Sequence, residues 1–160
     1  HYPLRRQRQM CIRDSVMPEY PAVASYEVLL ALIEAAESLG ISNYHVGITA
    51  TTADFYAGQT RPITSTSHME DLLPTLQKAG VLNFEMETAT LYTLASLYGL
   101  RAGSICAVYA NRCTKDFKPE AGEENAIKIA NEAIKILYKW DKKKRKKNKT
   151  WLFPSLLTDG

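Results

Sequence analysis

Cysteine is scarce in this 160-residue chain. Cys11, Cys106 and Cys113 are odd in number, match no metal-ligand spacing and are too few for a disulfide framework, which points to a reducing compartment. Long apolar runs are missing as well. Nothing approaches the ~18 residues that a membrane helix needs, and the Arg-rich start lacks the apolar stretch of a secretory signal. The expected location is therefore the cytoplasm, with no membrane partner. A net basic charge is absent from the body of the chain, although the whole chain carries +3. Residues 1–15 hold four Arg against Asp14, residues 139–160 hold eight Lys or Arg against two Asp, and the stretch between them is left at −6. A nucleic-acid binder needs a basic face on its folded part to hold phosphates in register, so no nucleic-acid partner is expected.

What is present suffices for a packed core: 46% of the residues are apolar and 23% charged. The opening run RQRQMCIRDS has no periodicity and resembles translated sequencing-adaptor DNA, so residues 1–15 are set apart as a non-native-looking leader, with a natural basic arm as the rival reading. Val28, Leu29, Leu32, Ile33, Ala36 and Leu39 recur at three- and four-residue spacing behind Ser25 and before Gly40, which predicts an amphipathic helix over 26–39. Residues 44–49 read as a strand containing His45 as a structural histidine. After a polar loop, Ser67 and Glu70 form a capping box for a helix that ends at Gly80, with Pro74 as a kink or break. Residues 81–86 read as a second strand. Residues 87–98 read as a helix with Leu91, Leu94, Ala95 and Tyr98 on one side and Gly99 as its stop.

Further on, residues 102–110 read as a buried strand in which Cys106 acts as a small hydrophobe, and 123–138 as a helix with Ile127, Ala130, Ile134 and Leu137 facing inward. Strands alternating with helices indicate an α/β layer architecture over residues 16–138. Past Tyr138, the run DKKKRKKNKT repels itself, so residues 139–160 are expected to be a solvated or disordered Lys-rich tail.

Three segments have more chemical character than a core requires. In DFYAGQTRP, Phe55 and Tyr56 offer flat apolar faces, Gly58 lets backbone approach a ligand, and Gln59 and Arg61 offer an amide and a fork of donors. A planar heterocycle with carbonyl and imide groups needs such a wall, although a polar loop with one Arg is also ordinary surface. In NFEMET, strand alternation would point Glu85 and Glu87 the same way around Met86, and such a carboxylate can accept paired hydrogen bonds from vicinal sugar hydroxyls. The plain alternative is that Glu87 favours a helix N-terminus electrostatically. In AVYANR, an apparent strand ends in Asn111 and Arg112, where ligands of open α/β sheets tend to bind; a surface Arg is the simpler reading.

In this order and at these separations, the three segments resemble the C-terminal half of the uridine phosphorylases within the nucleoside phosphorylase superfamily. The similarity runs from about Pro18 to Leu137, through EYPAVASYE, HVGITATTADFYAGQTR, GVLNFEMETATLYTLASLYGLRAG and AVYANR. It implies an α/β fold with a central mixed β-sheet flanked by helices, here N-terminally truncated, in a protein that converts uridine and phosphate to uracil and ribose 1-phosphate. By resemblance Phe55 stacks on the base, Gln59 and Arg61 bind the uracil edge, and Phe84 and Met86 pack on the nucleoside. Glu87, with Glu85 beside it, belongs to the ribose site, Arg112 closes the base pocket, and Tyr109 and Ala110 stand where aliphatic side chains often pack on uracil. The catalytic set is Gln59, Arg61 and Arg112. No cofactor or metal is implied beyond inorganic phosphate as co-substrate, and the full-length protein is expected to be a homo-oligomer of the family's hexamer-of-dimers kind.

The chain departs from the family pattern at Ala57, Pro62 and Phe84, where Pro, an aromatic and Tyr are common. The family's Gly- and Arg-containing phosphate site lies upstream of the matched region, so the fragment by itself is expected to lack it and to be inactive. Purine members share the EME segment but typically carry an Asp after the later strand, where this chain reads Asn111-Arg112, so a pyrimidine is favoured. A purine nucleoside phosphorylase or nucleosidase of the same fold is the alternative, as is a catalytically inert nucleoside-binding fragment.

Overall fold

The computed structural model describes residues 16–17, 19–53, 55–59 and 72–158. The leader, Arg61 and the Ser67 to Glu70 capping box lie outside the described residues. In chain order the elements are α1 (Tyr26–Ser38), β1 (Ile48–Thr51), a single 3-10 turn (Ala57–Gln59), α2 (Leu72–Lys78), β2 (Val81–Glu85), α3 (Thr88–Leu97), α4 (Glu123–Lys146) and α5 (Pro154–Thr158). The described residues before Ala24 and those within His45–Ala102 form one compact unit, and the described residues of Ala24–Tyr44 and from Gly103 onward form another.

The first unit is built on β1 and β2, which pair in parallel. The strand expected over 44–49 is displaced to Ile48–Thr51, because a strand exists only where a neighbour can form a ladder with it, and β2 begins opposite Ile48. His45 consequently lies outside the strand and is exposed. Pro74 is the third residue of α2 as described and does not break the helix before Lys78. Helix α3 buries Thr88, Tyr92 and Ala95 at four- and three-residue spacing and leaves Leu91 and Tyr98 exposed, so its inner face is rotated from the expected one. The helix stops at Gly99, whose φ of 63° is easy only for glycine, and the Leu100 N–H donates back to the Ala95 carbonyl at 2.8 Å.

In the second unit α1 packs on α4 through Ala31, Ala35 and Ala36 against Ile129, Ala133 and Ile136, with Leu32, Ile41, Tyr44, Leu137 and Trp140 around them. The expected inner stripes are corrected in part: Ala36, Leu32 and Leu137 belong to this contact as expected, but Leu29, Leu39, Ile127 and Ile134 are exposed. Small alanines let two helices approach closely, so the Ala face of α1 wins over the larger Leu face, and Leu29 and Leu39 are exposed. Helix α4 carries two apolar stripes; the one through Ile129, Ala133 and Ile136 is buried, while Ile134 on the other is 66% exposed. Gly103 lies so close to α1 that a Cβ there would come within 2.5 Å of Val28 Cγ1.

Residues 102–110 do not form the expected buried strand. Among the described residues the only ladder is that of β1 with β2, and Ala110 makes a single antiparallel bridge to Phe117. An apolar run is buried as a strand only where other strands and helices cover it, and here Val108 and Cys106 are exposed.

The Lys-rich run is not a disordered tail. It forms the last turns of α4, where basic side chains complement the helix dipole, as Glu123 and Glu124 do at the other end. Lys144 turns inward: its Nζ lies 2.8 and 2.7 Å from the two carboxylate oxygens of Glu27 on α1 and 3.1 Å from Asp141 Oδ1. The chain then folds back onto α1. The Leu152 N–H donates to Tyr26 Oη at 3.1 Å and to Glu27 Oε1 at 3.2 Å, while the Tyr26 hydroxyl donates to the Leu152 carbonyl at 3.0 Å. Leu152 and Leu156 are buried beside this cluster.

Candidate active site

The parallel pairing sets Ala50 opposite Phe84 and Thr51 opposite Glu85, and the Thr52 N–H extends the ladder by donating to the Glu85 carbonyl at 2.9 Å. The carboxyl ends of both strands therefore lie side by side. One leads into the loop with Phe55, Tyr56 and Gln59, the other into Met86 and Glu87. Two of the three candidate segments thus meet at the end of a parallel sheet where α/β folds place ligands.

Within the loop, Phe55 and Tyr56 meet edge to face, with ring centroids 5.6 Å apart, and both rings remain substantially exposed. The 3-10 turn then carries Gln59 inward: it is only 6% exposed, and its N–H donates to the Tyr56 carbonyl at 3.0 Å. A buried amide on a tight turn is held in a fixed direction, as a recognition group must be. Phe84 and Met86 are half-buried at the end of β2.

Glu85 and Glu87 are not related by strand alternation, because β2 ends at Glu85 and the backbone turns through Met86 and Glu87 into α3. The Glu85 carboxylate folds onto the start of that helix. Its Oε2 accepts from the Glu87 N–H at 2.7 Å and the Thr88 N–H at 2.6 Å, and its Oε1 accepts from the Thr51 hydroxyl. Thr51 Oγ1 in turn accepts from the Ala89 N–H at 2.9 Å. A helix start leaves four N–H groups without helical partners, and Glu85 and Thr51 satisfy several of them across the strand pair. Glu87 is exposed at the N-cap position. Thr51 carried no signal in the sequence beyond its place at the end of a strand; only the register opposite Glu85 reveals its part.

Partial burial pushes the Glu85 carboxyl up, but the bonds from Thr51, Thr88 and the Glu87 backbone outweigh it and hold the group below the usual carboxylate range. A depressed folded pKa gives stability that is complete above the unfolded value and is lost as pH falls through the folded one. Glu85→Gln is expected to remove that acid-side dependence while lowering the melting temperature at neutral pH. Thermal melts of both proteins from neutral to acid pH check this, and parallel curves at all pH values would refute it.

The second unit holds the third segment. The Tyr109 hydroxyl donates to Glu123 Oε2 at 2.7 Å, and that carboxylate raises the phenol above its ordinary pKa. Ala110 is held by its bridge to Phe117, and the Asn111 side-chain oxygen accepts from the Cys113 and Thr114 N–H groups at 2.9 and 3.1 Å, forming a tight polar turn. Arg112 sits half-buried in this turn rather than at the end of a sheet strand. Among the described residues no group of three or more His, Cys, Asp or Glu could hold a metal ion, and no helix is long and apolar enough to cross a membrane.

Comparison with known proteins accounts for this combination of segments. A uridine phosphorylase of Thermococcus kodakarensis is 55% identical over 147 residues, covering 90% of this chain and 52% of that protein. The uridine phosphorylase of Escherichia coli is 41% identical over 128 residues, covering 74% and 50%. A guanosine phosphorylase of Halorubrum lacusprofundi is 33% identical over 130 residues, covering 74% and 49%. The chain spans about half the length of the curated relatives it matches. The profile of the Phosphorylase superfamily matches residues 6–139, which include both strands, the Gln59 turn, the Phe84 to Glu87 junction and the Arg112 turn, and the chain accordingly belongs to that superfamily.

Proposed function

We propose that this chain forms the base- and ribose-binding part of a uridine phosphorylase, which in its full length converts uridine and inorganic phosphate to uracil and ribose 1-phosphate. The observation that carries this reading is the parallel β1–β2 register, which brings the aromatic and amide loop and the Phe84 to Glu87 turn to one end of the sheet. The 55% identity to a protein named uridine phosphorylase supports the pyrimidine choice over the purine one.

In the proposed reaction a phosphate oxygen supplies the electron pair that bonds to the anomeric carbon. The bond from that carbon to the base nitrogen breaks, and its electron pair moves onto the uracil ring and its carbonyl oxygens. The Gln59 amide, Arg61 and Arg112 donate hydrogen bonds to that growing negative charge, which lowers the barrier, and the departed uracil anion then takes up the proton that the phosphate gives up on becoming an ester. Phe55 stacks on the base, Phe84, Met86, Tyr109 and Ala110 pack around the nucleoside, and Glu87 accepts from the ribose hydroxyls. Inorganic phosphate is the co-substrate, and no cofactor or metal is required. The full-length protein acts in the cytoplasm in pyrimidine salvage as a homo-oligomer.

The test is base release by the full-length protein with phosphate and either uridine or inosine. Uracil release is expected to exceed hypoxanthine release by roughly a hundredfold or more, since a site that hydrogen-bonds one base leaves its polar groups unpaired with another. Faster cleavage of inosine would replace the pyrimidine reading with the purine one, and cleavage of neither would reduce the chain to a binding or inert fragment.

A further inference from the structure

Glu87 is the group on which ribose recognition rests in the reading above, yet its backbone position is set by two other side chains. Glu85 Oε2 takes the Glu87 and Thr88 N–H groups at 2.7 and 2.6 Å, and Thr51 clamps the other end of that carboxylate while accepting from the Ala89 N–H at 2.9 Å. Three successive residues at the start of α3 are thereby tied to the last residues of β1 and β2. The strand ladder fixes Thr51 opposite Glu85, so the clamp is rigid on the sheet side.

We infer that Thr51 and Glu85 are positioning residues for ribose recognition: together they fix the backbone of Glu87, and Glu85 serves the substrate through that bond network rather than by touching the sugar. This rests on the assignment of Glu87 to the ribose hydroxyls. The Glu85 carboxylate has its oxygens committed to two N–H groups and a hydroxyl, which leaves it poorly suited to accept a second pair of donors from a ligand. Its depressed pKa is that of a carboxylate held in its charged, accepting state. A binding side chain carried on a turn gains from such anchoring of its backbone, since an error of about 1 Å in a binding group can cost as much as ~100-fold in function.

The test compares uridine and uracil binding by calorimetry, without phosphate, to the full-length wild-type protein and to its Thr51→Val and Thr51→Ser variants. Valine keeps the shape of threonine but removes the hydroxyl from the clamp; serine restores it. Thr51→Val is expected to weaken uridine binding by roughly tenfold and uracil binding by less than about twofold, with Thr51→Ser close to wild type. Uracil lacks the ribose, so a general loss of folded protein would affect both ligands alike. Equal losses for the two ligands, no loss for uridine, or failure of serine to rescue would overturn the inference. Wild-type protein that binds uridine no more tightly than uracil would instead remove the ribose role of Glu87, and wild-type protein that binds neither would remove the nucleoside reading itself.

Discussion

Lys144→Met is expected to destabilise the helical unit by about 3 to 5 kcal/mol, the usual cost of removing one partner from a buried ion pair. Glu27 is 4% exposed and Lys144 is 9% exposed, so the substitution would leave a carboxylate in the α1–α4 interface with its main counter-charge gone. The loss would spread, because Glu27 also accepts from the Leu152 N–H and so helps to hold the last turns of the chain on α1. Both tryptophans, Trp140 and Trp151, lie in this unit, so their fluorescence during urea unfolding reports on it directly. A companion double variant, Glu27→Leu with Lys144→Met, is expected to recover much of the loss, because a well-packed apolar pair removes the desolvation penalty of both charges. If the single variant unfolds within about 1 kcal/mol of wild type, the pair is worth no more than a surface one. Burial alone would lower the Lys144 pKa, but the bonds to Glu27 and Asp141 outweigh it and raise it. The stability linked to the Lys144 proton is therefore fully present below the ordinary lysine pKa and is lost as pH rises through the raised one.

Gln59→Met in the full-length protein is expected to lower kcat/KM for uridine by roughly 10²- to 10³-fold, corresponding to the ~3 to 4 kcal/mol that one well-aimed donor supplies to a developing anion. Methionine is close to glutamine in length and fills the same buried place on the 3-10 turn, so packing is largely kept while the amide donors are lost. The damage should fall on kcat more than on KM, because the charge that Gln59 meets is small in bound uridine and large in the departing uracil. Steady-state kinetics with wild-type and variant protein would decide it. A drop of less than about fivefold, or one confined to KM, would mean that Gln59 positions the ground state or lies outside the reaction.

The glycine stops of two helices were legible in the sequence, whereas α4 runs past its expected end at 138 to Lys146 and α5 was not expected. Gly99 ends α3 and Gly40 follows the end of α1 because those positions need a positive φ, a property carried by one residue and independent of anything distant. The segments that carry the candidate chemistry were legible for a similar reason: an aromatic pair beside Gln59 and a carboxylate-flanked Met86 are local in the chain. Their meeting at one sheet end followed from β1 and β2 being parallel, which the alternation of elements only suggested.

Faces and partners were decided by tertiary structure alone. Periodicity shows that α4 has an apolar side, but α4 has two, and the alanines of α1 selected the stripe through Ile129, Ala133 and Ile136 because burial depends on how closely a neighbour can approach. The charge run after Tyr138 read as self-repelling because its main counter-charge, Glu27, lies more than a hundred residues away in the chain. Glu85 and Glu87 look equivalent when read along a strand, yet the turn at Met86 divides them, giving one to the helix start and leaving the other exposed. Local backbone preference is written residue by residue, so the sequence by itself determined the glycine stops at Gly40 and Gly99 and the presence of α1, α3 and α4, while the bounds of β1 and the end of α4 were not read from it. Which side chain is buried, paired or free to meet a ligand depends on groups far apart in the chain, and only the packed structure brings those together.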